Sequence, residues 1–228
     1  MIPQSDYFAQ EDYKAIKIHD NCHPRLKIQP MYFELGFSPV PHMFARFAVL
    51  DRLLQALQSL PQHYGFLIWD VYRPREVQGK LFAWMKNEIR NRSPHLNEEE
   101  LETEVLKYVA APSKVGDRYC SPHLSGGAID LTLFDFSQNQ PLDMGTPFDD
   151  PSDVAHRDYF TLKAEISEAD LVFKERRELL RQSMEKVGFT SYQYEWWHFD
   201  LGNASWGKIT KQPEAFGPLF GNHEWPNS

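Results

Sequence analysis

Cysteine is scarce: the 228-residue chain holds only Cys22 and Cys120, and their spacing fits no zinc ribbon or redox pair. A disulfide framework is therefore not expected, and two free thiols suit a reducing compartment, here the cytoplasm. No apolar run approaches the ~20 residues that span a bilayer, so a membrane partner is not expected either. The opening residues, MIPQSDYFAQEDYKAIKI, are polar and lack the apolar core of a secretion signal. Dense Lys/Arg patches are also missing. With 24 basic and 32 acidic residues the net charge is −8, a surface that repels phosphate backbones and argues against nucleic acid as a partner. There is no internal repeat and no low-complexity tract. What remains is ordinary for a globular protein, 42% hydrophobic and 25% charged. The length suits a single domain over 1–228 that can bury a core unaided. Nothing in the composition sets an oligomeric state.

Residues 1–42, with scattered aromatics and Pro24, Pro30, Pro39 and Pro41, read as an irregular N-terminal arm. Phe47, Leu50, Leu54 and Leu57 recur at helical spacing, and Pro61 stops a helix expected over about Met43 to Leu60. Gly65 to Tyr72 (GFLIWDVY) reads as a buried strand ended by Arg73 and Pro74, with a helix after it from Glu76 to about Asn91. Asn97 and Glu100 form a cap signal for a helix over Glu98 to Val109, in a stretch that carries no visible chemistry and reads as a surface insertion. Gly127 to Asp135 alternates as a strand, with Asp130 on the face opposite Ile129, Leu131 and Leu133. Ala169 to Val187 is an amphipathic helix facing inward with Phe173, Leu180, Met184 and Val187, and Gly188 sits at its C-terminal cap. Trp196 to Leu201 alternates as a last strand, and the tail rich in Gly, Pro and Asn reads as loop.

Two segments carry the chemistry: Ser121-Pro122-His123-Leu124-Ser125-Gly126-Gly127-Ala128-Ile129-Asp130 and Glu195-Trp196-Trp197-His198. Zinc accepts imidazole nitrogen and carboxylate oxygen, and a catalytic site keeps three protein ligands with a fourth position open. His123, Asp130 and His198 supply such a set, though two histidines and a carboxylate also suit iron or manganese. Small residues at 126–128 let the chain turn between His123 and the strand carrying Asp130. A lone histidine in an apolar strand is more often structural than metal-bound. Asp130, however, sits in a strand expected to be buried, where an unpaired carboxylate is costly and a cation is a natural partner. Cys120 is close enough in sequence to be a spectator or an extra ligand, and the three-ligand habit favours a spectator. The other histidines, at 19, 23, 42, 63, 95, 156 and 223, have no comparable context. Glu195 is three residues before His198, an odd offset that puts the two on opposite faces of a strand. It reaches the same site only if a bend or bulge precedes that strand.

The pattern S-x-H-x-x-G-x-A-x-D followed by E-x-W-H resembles the zinc D-alanyl-D-alanine peptidases, and EWWHF and AIDLTL resemble their dipeptidase branch. Asp70-Val71-Tyr72-Arg73-Pro74 is similar to the family's D-x-Y-R-P, and the run 142–149 is similar to its D-M-G-x-x-F-D loop. The resemblance implies an α+β fold, a small antiparallel sheet carrying the zinc site and flanked by helices. It also implies one zinc ion on His123, Asp130 and His198, with Glu195 as acid/base for zinc-activated water. Arg73 would stabilise the oxyanion, Asp149 would bind the substrate's free amino group, and Ser121 would stand at the substrate carboxylate. The implied substrate is a small peptide, D-alanyl-D-alanine foremost. Leu124-Ser125-Gly126 departs from the family's S-R-G, and Pro122 is unexpected, so the metal chemistry is better supported than the exact substrate. The arm shows no match to the family's tyrosine-containing substrate segment. Three alternatives stay open: a D,D- or L,D-carboxypeptidase or endopeptidase on cell-wall stem peptides, a metal-dependent hydrolase of another small amide, and a non-catalytic zinc-binding interaction module.

Overall fold

The computed structural model describes residues 7–226. In chain order its elements are β1 (Ala15–Ile18), β2 (Leu26–Ile28), α1 (Met31–Glu34), β3 (Met43–Arg46), α2 (Phe47–Ala56), β4 (Tyr64–Asp70), α3 (Arg75–Arg92) and α4 (Glu98–Tyr108). They continue with β5 (Ala128–Asp135), β6 (Gln140–Pro141), α5 (Tyr159–Leu162), α6 (Glu168–Glu185), β7 (Thr190–Ser191), β8 (His198–Asp200) and α7 (Ala204–Thr210). The fold is α+β, as expected. Its main sheet runs β2-β4-β5-β8-β7 with β6 paired to β5, antiparallel except for the parallel pair β2/β4.

The apolar alternation decides which face is covered. Ile129, Leu131 and Leu133 of β5, with Phe199 of β8, pack with Val49 and Leu53 of α2 and Leu180 and Met184 of α6. The opposite face of β5 carries Asp130. Asn97 caps α4 with a full capping box, and Ser167 does the same for α6, whose end is followed by Gly188 at φ 101°. A second apolar cluster joins α3 to α4 through Val77, Leu81, Met85, Leu101 and Val105, with Tyr32 of α1 buried among them.

Several expectations are corrected. The helix expected from Met43 starts at Phe47, because residues 43–46 pair antiparallel with β1. The buried residues of α2 are Ala48, Val49, Leu53 and Ala56, while Leu50 and Leu54 are only partly buried. The N-terminal arm is less irregular than its composition suggests. Beyond its first six residues, which lie outside the described range, it carries two strands, two 3-10 turns and the short helix α1, with strand partners far along the chain. The tail read as loop contains α7.

Candidate metal centre and active site

The register of the sheet assembles the centre. Asp130 of β5 lies directly opposite His198 of β8, so the two side chains share one face. The β4/β5 pairing slips between Ile68 and Asp70, which leaves Ile68 opposite Leu131 but Asp70 opposite Asp130. Two residues apart on a regular strand, Ile68 and Asp70 would point the same way. The extra residue turns Asp70 to the face of Asp130 instead. His123 comes from a 3-10 turn closed by Gly126 at φ 69°. Ser125 stands where the family pattern has arginine, and its Oγ braces this turn, donating to the Pro122 carbonyl at 2.5 Å and accepting from Gly127 N at 3.0 Å.

Among the described residues, His123, Asp130 and His198 form the one cluster of potential ligand atoms lying within 4.8 Å of one another, and all three are buried. Their outer contacts fix which ring nitrogens face inward. His123 Nδ1 lies 2.7 Å from the Val71 carbonyl, which can only accept, and 3.0 Å from Asp70 Oδ2, so Nδ1 carries the proton and Nε2 offers a lone pair. His198 Nε2 lies 3.2 Å from Asp200 Oδ1, which likewise leaves Nδ1 to face inward. The inward atoms crowd together, with His123 Nε2 3.2 Å from His198 Nδ1 and His198 Nδ1 2.9 Å from Asp130 Oδ1. With the outer nitrogens protonated, three lone pairs converge on one point, an arrangement that could hold a cation, and the donor set fits zinc.

The electrostatics agree. Burial would push protons off both imidazoles, but the surrounding carboxylates outweigh it. Asp130 holds His123 above its ordinary range, and Asp200 with Asp130 holds His198 well above. Burial pushes the Asp130 carboxyl up, yet His123 and His198 together hold it well below the usual carboxylate range. The pocket is built to hold positive charge. Cys120 is outside this cluster, and burial pushes its thiol up to about 12, which suits a spectator.

The expected bend at Glu195 is present. Residues 193–197 are irregular and β8 begins only at His198, so Glu195 reaches the site, its Oε2 3.9 Å from His198 Nδ1. Burial raises its carboxyl well above the ordinary value. Arg73 is 5% exposed and gripped on every side. Its Nε donates to Asp70 Oδ2 at 2.9 Å, one terminal nitrogen to Gln78 Oε1 at 3.0 Å, and the other to Tyr32 Oη at 3.1 Å and Asp130 Oδ2 at 3.3 Å. The guanidinium also lies 4.4 Å from the centre of the Tyr32 ring. Asp149, in the left-handed region at φ 58°, accepts from Tyr32 Oη at 3.0 Å, and burial pushes its carboxyl up to about 7.

These groups share one cavity of about 490 Å³, lined by Tyr32, Arg73, His123, Asp130, Asp149, Glu195 and His198. Ser121 is buried beside it. Its neighbours Cys120 and Pro122 line the cavity, and its own backbone N–H donates to Ser113 Oγ at 2.9 Å. The stretch that reads as a surface insertion is instead part of the cavity wall: Leu106, Lys107 and Tyr108 of α4 line it, and Tyr192 Oη donates to the Lys107 carbonyl at 2.9 Å. Ala204, Ser205 and Lys208 of α7 form another part of it.

Residues 43–215 match the family model described as D-ala-D-ala dipeptidase, a family of peptidases. The chain belongs to the D-ala-D-ala dipeptidase family. It is 30% identical over 223 residues to a D-alanyl-D-alanine dipeptidase of Synechocystis, an alignment covering 85% of this chain and 88% of that one. The D-alanyl-D-alanine dipeptidase of Enterococcus faecium is 30% identical over 166 residues, 71% of this chain and 75% of its own. That of Enterococcus faecalis is 33% identical over 141 residues, 60% of this chain and 62% of its own, so the chain spans less than two thirds of that relative.

Three groups at the site of this dipeptidase-family chain escaped the sequence. Tyr32 lies before the matched span, in the arm, and no local signal marks it. Asp70 was visible in D-x-Y-R-P but had no role until the bulge placed it between Arg73 and His123. Asp200 follows His198 by two residues, and that spacing on a strand was the available signal for a partner on the same face. Among the described residues no helix is long and apolar enough to cross a membrane.

Proposed function

We propose that this chain is a zinc-dependent dipeptidase that hydrolyses a D,D-dipeptide, with D-alanyl-D-alanine the leading substrate. The observation that carries this reading is the placement of Glu195 beside His198 and of the Arg73 guanidinium beside Asp130, around one three-acceptor centre in one cavity. A structural metal site would need neither group, which disfavours an interaction module.

His123, Asp130 and His198 would hold the zinc, which would supply a Lewis acid for the scissile carbonyl and the attacking water. Glu195, with its raised proton affinity, takes the proton from that water and delivers one to the leaving amine. Arg73 keeps its charge at the cavity wall, where the carbonyl oxygen gains negative charge. One well-placed donor of this kind is worth about 3 kcal/mol. Asp149 receives the free ammonium of the dipeptide, with Tyr32 holding the carboxylate in place. An internal peptide bond has no such ammonium, so this wall selects against longer stem peptides. Ser121 stands at the substrate's carboxylate end. One domain carries all these groups, and the two free thiols suit the cytoplasm.

The test is alanine release from D-alanyl-D-alanine by zinc-loaded protein, with Glu195→Ala alongside. Expected is loss of activity in the variant with bound metal retained. No release by folded, metal-loaded wild-type protein removes the leading substrate, and full activity of Glu195→Ala removes the mechanism.

A further inference from the structure

The tail beyond residue 215 lies outside the span matched by the family, yet it reaches both loops that carry the site. Resting on the reading of Arg73 as the oxyanion-stabilising group, we propose that residues 217–225 form a clasp across the loops that carry His123 and Arg73, and that Glu224 is a positioning residue for Arg73.

The contacts run along the tail. The Gly217 carbonyl accepts from Arg46 at 2.7 Å. Leu219 N–H donates to the Leu124 carbonyl at 2.9 Å, next to His123. Its side chain covers Gly126 so closely that a Cβ there would meet it at 2.9 Å. Phe220 packs edge-on against Tyr72, with ring centres 4.9 Å apart, and Trp225 meets the same ring at 6.0 Å.

Glu224 closes the clasp. Its backbone carbonyl accepts from Tyr72 Oη at 2.7 Å. Its carboxylate accepts from Arg75 N–H at 2.7 Å and pairs with the Arg75 guanidinium at 3.2 Å. Tyr72 and Arg75 flank Arg73 and Pro74, so one residue grips both ends of the turn. Arg75 opens α3, where a backbone N–H has no partner within the helix and a negative charge is favoured. Asp70 and Gln78 hold the Arg73 guanidinium, and Glu224 holds the residues on either side of the Arg73-Pro74 turn. Glu224 does not line the cavity, so it acts on catalysis only through this turn. A displacement of about 1 Å in such a group can cost up to ~100-fold in rate.

The experiment compares full-length, zinc-loaded wild type with Glu224→Ala and Glu224→Gln. Gln keeps an acceptor for Arg75 N–H but not the charge. Two readouts are taken: kcat and KM on D-alanyl-D-alanine, and hydrogen exchange of the Arg73 Nε–H by NMR. Expected for Glu224→Ala are a kcat about 10-fold lower, a KM within about twofold, unchanged bound zinc, and Arg73 exchange about 10-fold faster. Glu224→Gln falls between the two, and it carries the test if the Ala variant does not fold. Unchanged kcat or unchanged Arg73 exchange in a folded variant overturns the clasp, as does an effect on KM alone. If wild-type protein cleaves no dipeptide, the functional reading fails separately, and Arg73 exchange still decides the clasp.

Discussion

Removing one hydroxyl tests how Arg73 and Asp149 are joined. Tyr32 is 4% exposed, and its Oη both accepts from Arg73 and donates to Asp149. Tyr32→Phe keeps the ring, and with it the guanidinium packed 4.4 Å from the ring centre, so the cavity keeps its shape. What is lost is one hydrogen bond to each of two charged groups, each worth about 1.5–3 kcal/mol. A bound ammonium compensates Asp149, which leaves the Arg73 bond as the loss felt in the transition state. At about 1.4 kcal/mol per tenfold, kcat/KM falls about 10- to 100-fold. There is also a pH signature. Burial sets the Asp149 carboxyl at about 7, and the Tyr32 bond is one of the influences pulling it down. Without that bond the carboxyl titrates higher, so the pH above which KM reaches its low plateau moves upward. The assay is alanine release across roughly pH 6 to 9. A kcat/KM within about twofold of wild type, with an unmoved KM profile, would refute the reasoning.

Other expected outcomes follow from neighbouring groups. Asp149→Asn loses the preference for free over N-acetylated dipeptide, measured as the ratio of kcat/KM values; equal use of both substrates by wild type removes the ammonium role. Because the folded Asp149 carboxyl titrates near 7 rather than its ordinary value, its contribution to the stability of the metal-free protein falls as pH rises from about 4 to about 7. Metal-free Asp149→Asn is therefore more stable than metal-free wild type by about 2–4 kcal/mol above pH 7, a gain that denaturant melts should show vanishing near pH 4. Asp200→Asn weakens the hold on His198 Nε2–H and lowers zinc affinity about 10- to 100-fold in chelator competition. Unchanged affinity would mean that Asp200 does not orient the ligand.

The residues of the candidate metal cluster and Glu195 were legible because each of the two segments that carry them has a local pattern. The turn from His123 to Asp130 takes eight residues, and the strand alternation around Asp130 and His198 can be read from period two alone. The helix over 98–109 was legible from its capping box, but its use was not. Only the packing of α4 on α3 brings Lys107 and Tyr108 to the cavity. The same holds for Met43, where pairing with β1 overrides a helical pattern, since its strand partner Ile18, 25 residues away, leaves no local mark.

By itself the sequence determined which residues short-range pattern singles out: His123, Asp130, Glu195 and His198, and the arginine at the end of its strand. The tertiary structure alone decided what holds them. Tyr32 joins Asp149 across 117 positions, and Glu224 joins Arg75 across 149. A bulge of one residue in β4 turns Asp70 to the face of Asp130. Such contacts depend on register, burial and the path of the backbone, all of which arise only when distant segments pack together.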